Sequence, residues 1–187
     1  MADFEALRRR LGQDSPGGPP AGETPASVLV PIVAGPAGCY LLLTRRTDGL
    51  TNHRGEIAFP GGRAEPGETS LDTALREARE ELGIAPADVE ILGALPGVGT
   101  NVSHFWVTPW VGALRSGARD GVVVNPAEVA DLLDVPLATL AAPGVRREQR
   151  FIRGRFVAGS PAFDTDDGTI WGATARIVAE LLDVLAP

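Results

Sequence analysis

Apolar residues that recur every three to four positions predict two long amphipathic helices in this chain. The first lies between Thr69 and Gly83, and the second spans residues 169–185. Thr69 begins a capping pattern with Asp72 three residues later, and glycine is common just past the end of a helix. The first helix carries an apolar stripe on one face and an acidic stripe on the other. We therefore expect its apolar face to pack against a core.

Runs of β-branched, aromatic and other apolar residues predict strands in the rest of the chain. Residues 27–33 and 39–45 form a predicted hairpin, because a loop rich in glycine and proline joins them. Pro31 indicates an edge position or a bulge, since proline cannot donate to a strand ladder. Further strands or strand-like segments are predicted over residues 56–59, 89–95, 104–114, 149–158 and from Phe163. Short helical segments are predicted over residues 127–133 and, as a turn or helix, 136–140.

The order of these elements lacks a regular alternation of strand and helix. It predicts an α+β fold in which helices cover both faces of a mixed β-sheet, an α/β/α sandwich. A short amphipathic helix is predicted at residues 2–11, and residues 13–24 form a linker rich in glycine and proline. We therefore expect an N-terminal helix and linker in residues 1–24 and one domain in residues 25–187.

The composition makes the chain acidic, with 17 Lys and Arg against 24 Asp and Glu and a formal net charge of −7. Such a field does not attract nucleic acid or an anionic membrane, so neither is expected as a partner. The single cysteine, Cys39, excludes an internal disulfide and suits a reducing compartment. Because no apolar run is long enough to cross a membrane and no signal-peptide core is present, we expect a cytoplasmic location.

The acidic stripe of the first long helix consists of Glu77, Glu80 and Glu81. Residues at this spacing share one helix face, where like charges repel each other. A divalent cation bound among them would explain the arrangement, because Mg²⁺ and similar hard ions prefer carboxylate oxygens. The ordinary alternative is a solvated face held by ion pairs with Arg76.

The segment from Gly62 to Ile84 carries fixed residues at defined spacings. It reads glycine, five residues, glutamate, seven residues, Arg-Glu, an apolar residue, any residue, Glu-Glu, any residue, glycine and an apolar residue. The matching residues are Gly62, Glu68, Arg76, Glu77, Ala78, Glu80, Glu81, Gly83 and Ile84. This pattern resembles the Nudix box, with Ala78 as a small occupant of the apolar position. The resemblance implies the Nudix fold and hydrolysis of a diphosphate linked to another group.

Residues before the box narrow this resemblance. Residues 42–46 read Leu-Leu-Thr-Arg-Arg, and residues 53–62 contain His-Arg-Gly followed by Phe-Pro-Gly-Gly. Both are similar to the signature of coenzyme A pyrophosphatases. Thr47 stands where serine or alanine is usual, and Thr51 where a basic residue is often found. The resemblance implies cleavage of coenzyme A or acyl-coenzyme A to 4′-phosphopantetheine and adenosine 3′,5′-bisphosphate.

The same resemblance implies roles for individual residues. The implied ligands of Mg²⁺ or Mn²⁺ are Glu77, Glu80, Glu81 and the carbonyl of Gly61. The implied catalytic residues are Glu80, Glu81, Arg76 and Glu128. The implied substrate-binding residues are Arg46, His53, Gly55, Phe59, Gly61 and Gly62. The general base stays open between a box glutamate and Glu128, which comes from a later segment.

Two alternatives to coenzyme A hydrolysis stay open at this stage. The first keeps the chemistry but takes ADP-ribose, dinucleotides or nucleoside triphosphates as substrate. The second is a Nudix-fold module that binds a nucleotide without turnover. In each case the expected partner is a small-molecule diphosphate, with a homodimer as a candidate assembly. The densest basic run, from Arg146 to Arg155, is either a site for the 3′-phosphate of the substrate or a solvated face.

Overall fold

The architecture combines four α-helices, two short 3-10 helices (Pro86–Asp88 and Ala118–Gly121) and two β-sheets in the residues that this computed structural model describes, 4–12, 17–47, 55–100, 104–153 and 156–186. The helices are α1 (Phe4–Arg10), α2 (Ser70–Leu82), α3 (Leu137–Leu140) and α4 (Gly172–Leu185). The strands are β1 (Thr24–Gly35), β2 (Gly38–Arg46), β3 (Ile57–Ala58), β4 (Gly61–Arg63), β5 (Val89–Ala94), β6 (Val98–Gly99), β7 (Phe105–Leu114), β8 (Val129–Pro136), β9 (Arg146–Arg153), β10 (Phe156–Thr165) and β11 (Gly168–Ile170).

The larger sheet is mixed, as predicted. Its strands follow the order β3-β2-β1-β7-β5, while β4 pairs with β1, β6 with β7 and β8 with β2. β1 and β7 are parallel, in a register that runs from Thr24 opposite Phe105 to Ile32 opposite Ala113. The other pairs of this sheet are antiparallel. A second sheet, β11-β10-β9, was not predicted as a separate unit.

Helices cover both faces of the larger sheet, which confirms the predicted sandwich. On one face Ala78 and Leu82 of α2 pack with Leu29 and Trp110. On the other face Val30 and its neighbours pack with α1, α4 and the second sheet. Alternate residues of β1 thus belong to different cores, as the pleat of a strand requires. Within the described ranges, none of the helices is both long and apolar enough to cross a membrane.

The predicted N-terminal helix is confirmed and packs against the rest of the domain. Leu7 and Leu11 are buried in the same core as α4. The guanidinium of Arg10 donates to the carbonyl oxygen of Val184 at 2.7 Å, at the carboxyl end of α4. Arg8 forms an ion pair with Glu90 of β5. The N-terminal segment therefore contributes both apolar and polar contacts to the fold.

The predicted helix over residues 127–133 is wrong. The chain forms a turn over residues 126–128, and β8 begins at Val129. Val129, Leu133 and Val135 are buried, at the two-residue spacing of a strand rather than the spacing of a helix. β8 pairs with β2 along this length. The pairing of β8 with β2 therefore determines the structure of this segment.

The structure also differs from the sequence-based predictions for Pro31, for the strands after residue 146 and for the start of the last helix. Pro31 does not lie in an edge strand, because β1 is flanked by β7 on one side and by β4 and β2 on the other. Pro31 lies between the residues that pair with β4 and those that pair with β2. Residues 149–158 cover parts of β9 and β10 rather than one strand, and Phe163 lies within β10. Gly168–Ile170 is a strand, so the last helix begins at Gly172.

Candidate active site

The capping interactions predicted for α2 are present at both ends. The backbone N–H of Asp72 donates to the hydroxyl of Thr69 at 3.2 Å, and the backbone N–H of Thr69 donates to the carboxylate of Asp72 at 3.1 Å. Gly83 ends the helix in the left-handed conformation, with φ of 68°. Because Ala78 and Leu82 are buried beneath it, the helix holds its acidic stripe in a fixed orientation.

An ion pair fastens the loop before α2 to the helix. The Nε of Arg76 donates to Glu68 at 2.7 Å, and its Nη2 donates to the same carboxylate at 3.1 Å. Nη2 also donates to the carbonyl oxygen of Arg63 at 3.1 Å. The bond from Arg76 and that from the N–H of Glu65 lower the pKa of Glu68 to about 2. The loop therefore takes its position from a charged contact with the helix.

Arg76 also contacts two of the three predicted metal ligands. Its Nη1 donates to Glu77 at 2.8 Å and to Glu80 at 3.0 Å. In the part of the chain that the structure describes, no three carboxylate, histidine or cysteine side chains are arranged to hold a metal ion. The guanidinium reduces the repulsion between Glu77 and Glu80, and the roles of the three glutamates as metal ligands stay predictions.

The backbone at Gly62 lies directly against the carboxylate of Glu77. A Cβ at this position would overlap the carboxylate, so only glycine allows this approach. The Glu77 side chain is 14% exposed. Burial raises its pKa, and Arg76 opposes that shift. Glu77 is therefore held between the glycine loop and the arginine.

Glu81 is the most deeply buried carboxylate of the stripe, with an exposed fraction of 4%. Its Oε1 accepts a long hydrogen bond of 3.4 Å from the backbone N–H of Gly61. Burial raises the pKa of Glu81 to about 7, with Glu77 and Glu128 adding to the shift and Gly61 and Arg46 opposing it. The protein compensates this negative charge incompletely, which is common at functional sites.

The three glutamates fit a divalent cation in the chemistry of their donor atoms. They supply hard carboxylate oxygens, the ligands that Mg²⁺ and Mn²⁺ prefer. The raised pKa values of Glu77 and Glu81 mean that a nearby cation would stabilise their charged forms. The Glu80 side chain is 54% exposed, so packing does not fix it in its contact with Arg76.

The structure brings Glu128 close to this acidic stripe. The backbone N–H of Asn125 donates to the carbonyl oxygen of Glu81 at 2.8 Å, and the side-chain amide of Asn125 donates to Glu128 at 3.2 Å. The carbonyl oxygen of Glu128 accepts a bond of 3.0 Å from the N–H of Thr47. These bonds join the turn that carries Glu128 to α2 and β2. Its catalytic role stays a prediction.

The predicted substrate-binding residues fall into different surroundings. Arg46 ends β2, and its Nε is buried without a hydrogen-bond partner among the described residues. Gly55 donates its N–H to the carbonyl oxygen of Arg46 at 3.1 Å. Phe59 is 3% exposed and belongs to the core on the α4 side of the sheet. His53 lies outside the described residues, as does Thr51.

Two arginines of the basic run make contacts within the fold. Arg147 pairs with Asp164 at 2.6 Å, which connects β9 to β10. Arg146 pairs with Asp183 of α4 at 3.5 Å. Arg150 is exposed. The ion pairs occupy the two arginines that begin the run, so its use as a phosphate site stays a prediction.

A cavity of about 910 Å³ lies beside Glu77 and Arg76. The first residues of β1 and β7, the loop 63–69 and residues 17–19 surround it. This cavity could not be predicted from the sequence, because its walls come from segments that are distant from each other along the chain. The one local signal was Ser27, a polar residue at the start of an apolar run in β1.

Comparisons with known proteins show which family and fold this chain resembles. The NUDIX domain model matches residues 23–154. The chain is 40% identical over 163 residues to the uncharacterized Nudix hydrolase NudL of Pectobacterium atrosepticum, covering 83% of this chain and 80% of that protein. It is 33% identical over 177 residues to Nudix hydrolase 3 of Caenorhabditis elegans, covering 86% and 73%. A solved MutT/nudix family protein from Enterococcus faecalis has a TM-score of 0.54 at 13% identity, covering 98% of this chain and 68% of that one.

Proposed function

This chain belongs to the Nudix hydrolase family, and on that premise we propose that it cleaves the diphosphate of coenzyme A or acyl-coenzyme A. The products would be 4′-phosphopantetheine, or its acyl form, and adenosine 3′,5′-bisphosphate. The similarity to the coenzyme A pyrophosphatase signature supports this choice of substrate. The two halves of that signature are neighbours in the sheet, where Thr44 of β2 pairs with Ala58 and Arg45 pairs with Ile57.

One observation carries the proposal, the environment of Arg46. This arginine belongs to the signature and lies close enough to Glu81 to oppose the rise in its pKa. Its Nε is buried and lacks a hydrogen-bond partner within the described residues. An arginine fork binds phosphate oxygens in a bidentate manner. Arg46 can therefore bind the substrate diphosphate next to the acidic stripe.

The chemistry needs an activated water and neutralised phosphate charge. The water oxygen forms a bond to one phosphorus, the bridging P–O bond breaks, and the departing phosphate takes its electron pair. Members of this family generally use divalent metal ions. Mg²⁺ or Mn²⁺ bound by Glu77, Glu80, Glu81 and the Gly61 carbonyl would supply a lowered pKa for water and charge neutralisation.

The proton of the attacking water requires a carboxylate nearby. Glu128 is our candidate base, because its turn is hydrogen-bonded to the end of α2 through Asn125. Glu81 is the alternative among the box residues, because it belongs to the same acidic stripe. Arg76 positions the glycine loop and the glutamates for this step.

A substrate comparison tests the proposal. The purified chain is incubated with Mg²⁺ or Mn²⁺ and with coenzyme A, ADP-ribose, a dinucleotide or a nucleoside triphosphate, and the products are separated by chromatography. We expect the highest kcat/KM with coenzyme A. A higher value with ADP-ribose or a dinucleotide would contradict the coenzyme A assignment. Nucleotide binding without cleavage of any substrate would favour a binding module.

The role of Arg46 has its own variant. Arg46→Ala should raise KM for coenzyme A by about tenfold, as expected when a charge-assisted contact worth roughly 1.5–3 kcal/mol is removed. Arg9→Ala, on the exposed side of α1, is the matched control and should leave KM unchanged. Equal KM values for the Arg46 variant and the unmodified chain would remove the main support for the proposal.

A further inference from the structure

The turn formed by residues 125–128 carries Glu128, and two side chains that are distant in the sequence hold it, Asn125 and Thr47. We propose that both are positioning residues for the reaction, which hold the carboxylate of Glu128 towards the acidic stripe of α2. The inference rests on the proposed function in one respect, because it takes Glu128 as the group that receives the proton of the attacking water. It does not depend on which diphosphate is the substrate.

Asn125 builds the turn and also contacts the carboxylate that the turn carries. Its carbonyl oxygen accepts a bond of 3.1 Å from the N–H of Glu128, and its Oδ1 accepts a bond of 3.1 Å from the N–H of Ala127. Asparagine followed by proline commonly begins such a turn. The Nδ2 of Asn125 donates to Oε1 of Glu128 at 3.2 Å. The turn itself uses only the two oxygens of Asn125, so its amide donor serves to orient Glu128.

Thr47 holds the other side of the turn. It follows β2, and its Oγ1 donates to the carbonyl oxygen of Ala127 at 3.2 Å. Its backbone N–H donates to the carbonyl oxygen of Glu128 at 3.0 Å. One residue thus binds two consecutive carbonyl groups of the turn. Because Arg46 immediately precedes Thr47, the same strand end carries the candidate phosphate contact and supports the candidate base.

A bulge near the start of β8 directs this segment towards α2. Arg45 lies opposite Asp131. Arg46, the next residue, lies opposite Val129, so β8 contains one extra residue at this point. Val129 accordingly belongs to the core beneath α2, whereas Leu133 belongs to the core on the α4 side. A regular strand would place residues four apart on the same face, and bulges often redirect side chains next to active sites.

The electrostatics of the stripe explain why Glu128 needs a donor. Its negative charge is among the causes that raise the pKa of Glu77 and of Glu81, so its carboxylate lies near both. Like charges gathered in this way repel each other, which favours a position of Glu128 further out in the solvent. The amide of Asn125 opposes that movement, and the backbone N–H of Asn125 is bonded to the carbonyl oxygen of Glu81 at 2.8 Å.

Steady-state kinetics of the full chain with Mg²⁺ test the inference, on whichever diphosphate gives the highest kcat/KM. Asn125→Asp keeps the oxygen that the turn needs but replaces the amide donor by a second negative charge. We expect kcat to fall by about 10²-fold, because a displacement of roughly 1 Å at a reacting group has this effect. KM should stay within about twofold, since substrate binding is not altered. Ser116→Asp, in an exposed turn, is the control for the added charge and should retain kcat.

Thr47 offers a pair of variants that differ in the hydroxyl. Thr47→Val removes it with little change in shape and should lower kcat by about fivefold, the usual effect of losing one neutral hydrogen bond. Thr47→Ser keeps the hydroxyl and should retain kcat within about twofold. Urea unfolding of each variant separates a loss of positioning from a loss of folding.

A double-mutant cycle shows whether Asn125 acts through Glu128. Glu128→Gln should lower kcat by at least about 10²-fold, as expected for a lost general base. Asn125→Asp combined with Glu128→Gln should then have the kcat of Glu128→Gln alone. The inference is overturned if the two effects multiply, if Glu128→Gln is fully active, or if kcat is unchanged in Asn125→Asp or in Thr47→Val. A preference for another diphosphate over coenzyme A would count against the proposed substrate alone.

Discussion

Glu81 illustrates at the scale of one residue how burial changes the titration of a carboxyl group. Its carboxyl has a pKa of about 7 in the folded chain against an ordinary value of 4.5. The folded state therefore binds a proton more tightly than the unfolded state. The resulting stabilisation is complete below about pH 4.5 and is lost as the pH rises through about 7. The shift corresponds to an effect on the order of 3 kcal/mol.

The stability of the metal-free protein should consequently fall between pH 5 and pH 8. Glu81→Gln removes the titrating group, so it should flatten this fall and be the more stable protein at pH 8. Urea unfolding in the presence of a chelator measures both proteins at both pH values. Parallel pH profiles for the two proteins would show that another group causes the change.

A bound divalent cation would reverse the electrostatics of the same residues. Glu80→Gln and Glu81→Gln should each lower kcat by at least about 10²-fold, because removing a group that holds catalytic charge costs this much. Circular dichroism should show an intact fold in both. Glu180→Gln, on the exposed side of α4, is the control and should retain full activity. Full activity in both site variants would refute the metal-ligand assignment.

At the scale of elements, the close approach between β4 and α2 sets the position of Glu77. Gly62→Ala places a methyl group where the carboxylate now lies. We expect kcat/KM to fall by about 10²-fold, because a displacement of roughly 1 Å at a reacting group has this effect. Gly121→Ala has open space around its Cβ and is the matched control. Unchanged kinetics in the Gly62 variant would mean that Glu77 tolerates displacement.

Elements whose caps and apolar pattern lie within their own sequence were predictable. Elements that depend on pairing with another strand were not. α2 could be located because its caps and its apolar stripe lie within its own sequence. β8 was mistaken for a helix, because Leu132 and Leu133 fit either pattern until β2 is present to pair with them. The second sheet was missed for the same reason, since its strands β9 and β10 are stabilised mainly by each other.

At the scale of the whole molecule, α1 contributes to the hydrophobic core on the α4 side of the larger sheet. Leu7 is 4% exposed, so Leu7→Ala should lower the free energy of unfolding by about 2–5 kcal/mol. Glu5→Ala, on the exposed side of the same helix, should change it by less than about 0.5 kcal/mol. Urea unfolding measures both variants. Equal stability of the two would show that α1 is dispensable for the fold.

Only part of the candidate site could be predicted from the sequence. Its acidic stripe was predictable, because Glu77, Glu80 and Glu81 lie within one turn of a helix. The cavity beside it was not, because residues 17–19 meet β1, β7 and the loop before α2 only in the folded chain. Spacing in a sequence reveals a constellation on one element, whereas a cavity between elements depends on how they pack.

The parallel pairing of β1 with β7 bears on how the protein is made. A ribosome releases β1 and α2 well before it completes β7, which lies between β1 and β5 in the finished sheet. Until β7 emerges, the nascent chain exposes an apolar strand edge that can associate with other chains. Chaperones that shield this edge during translation would therefore protect the yield of folded enzyme.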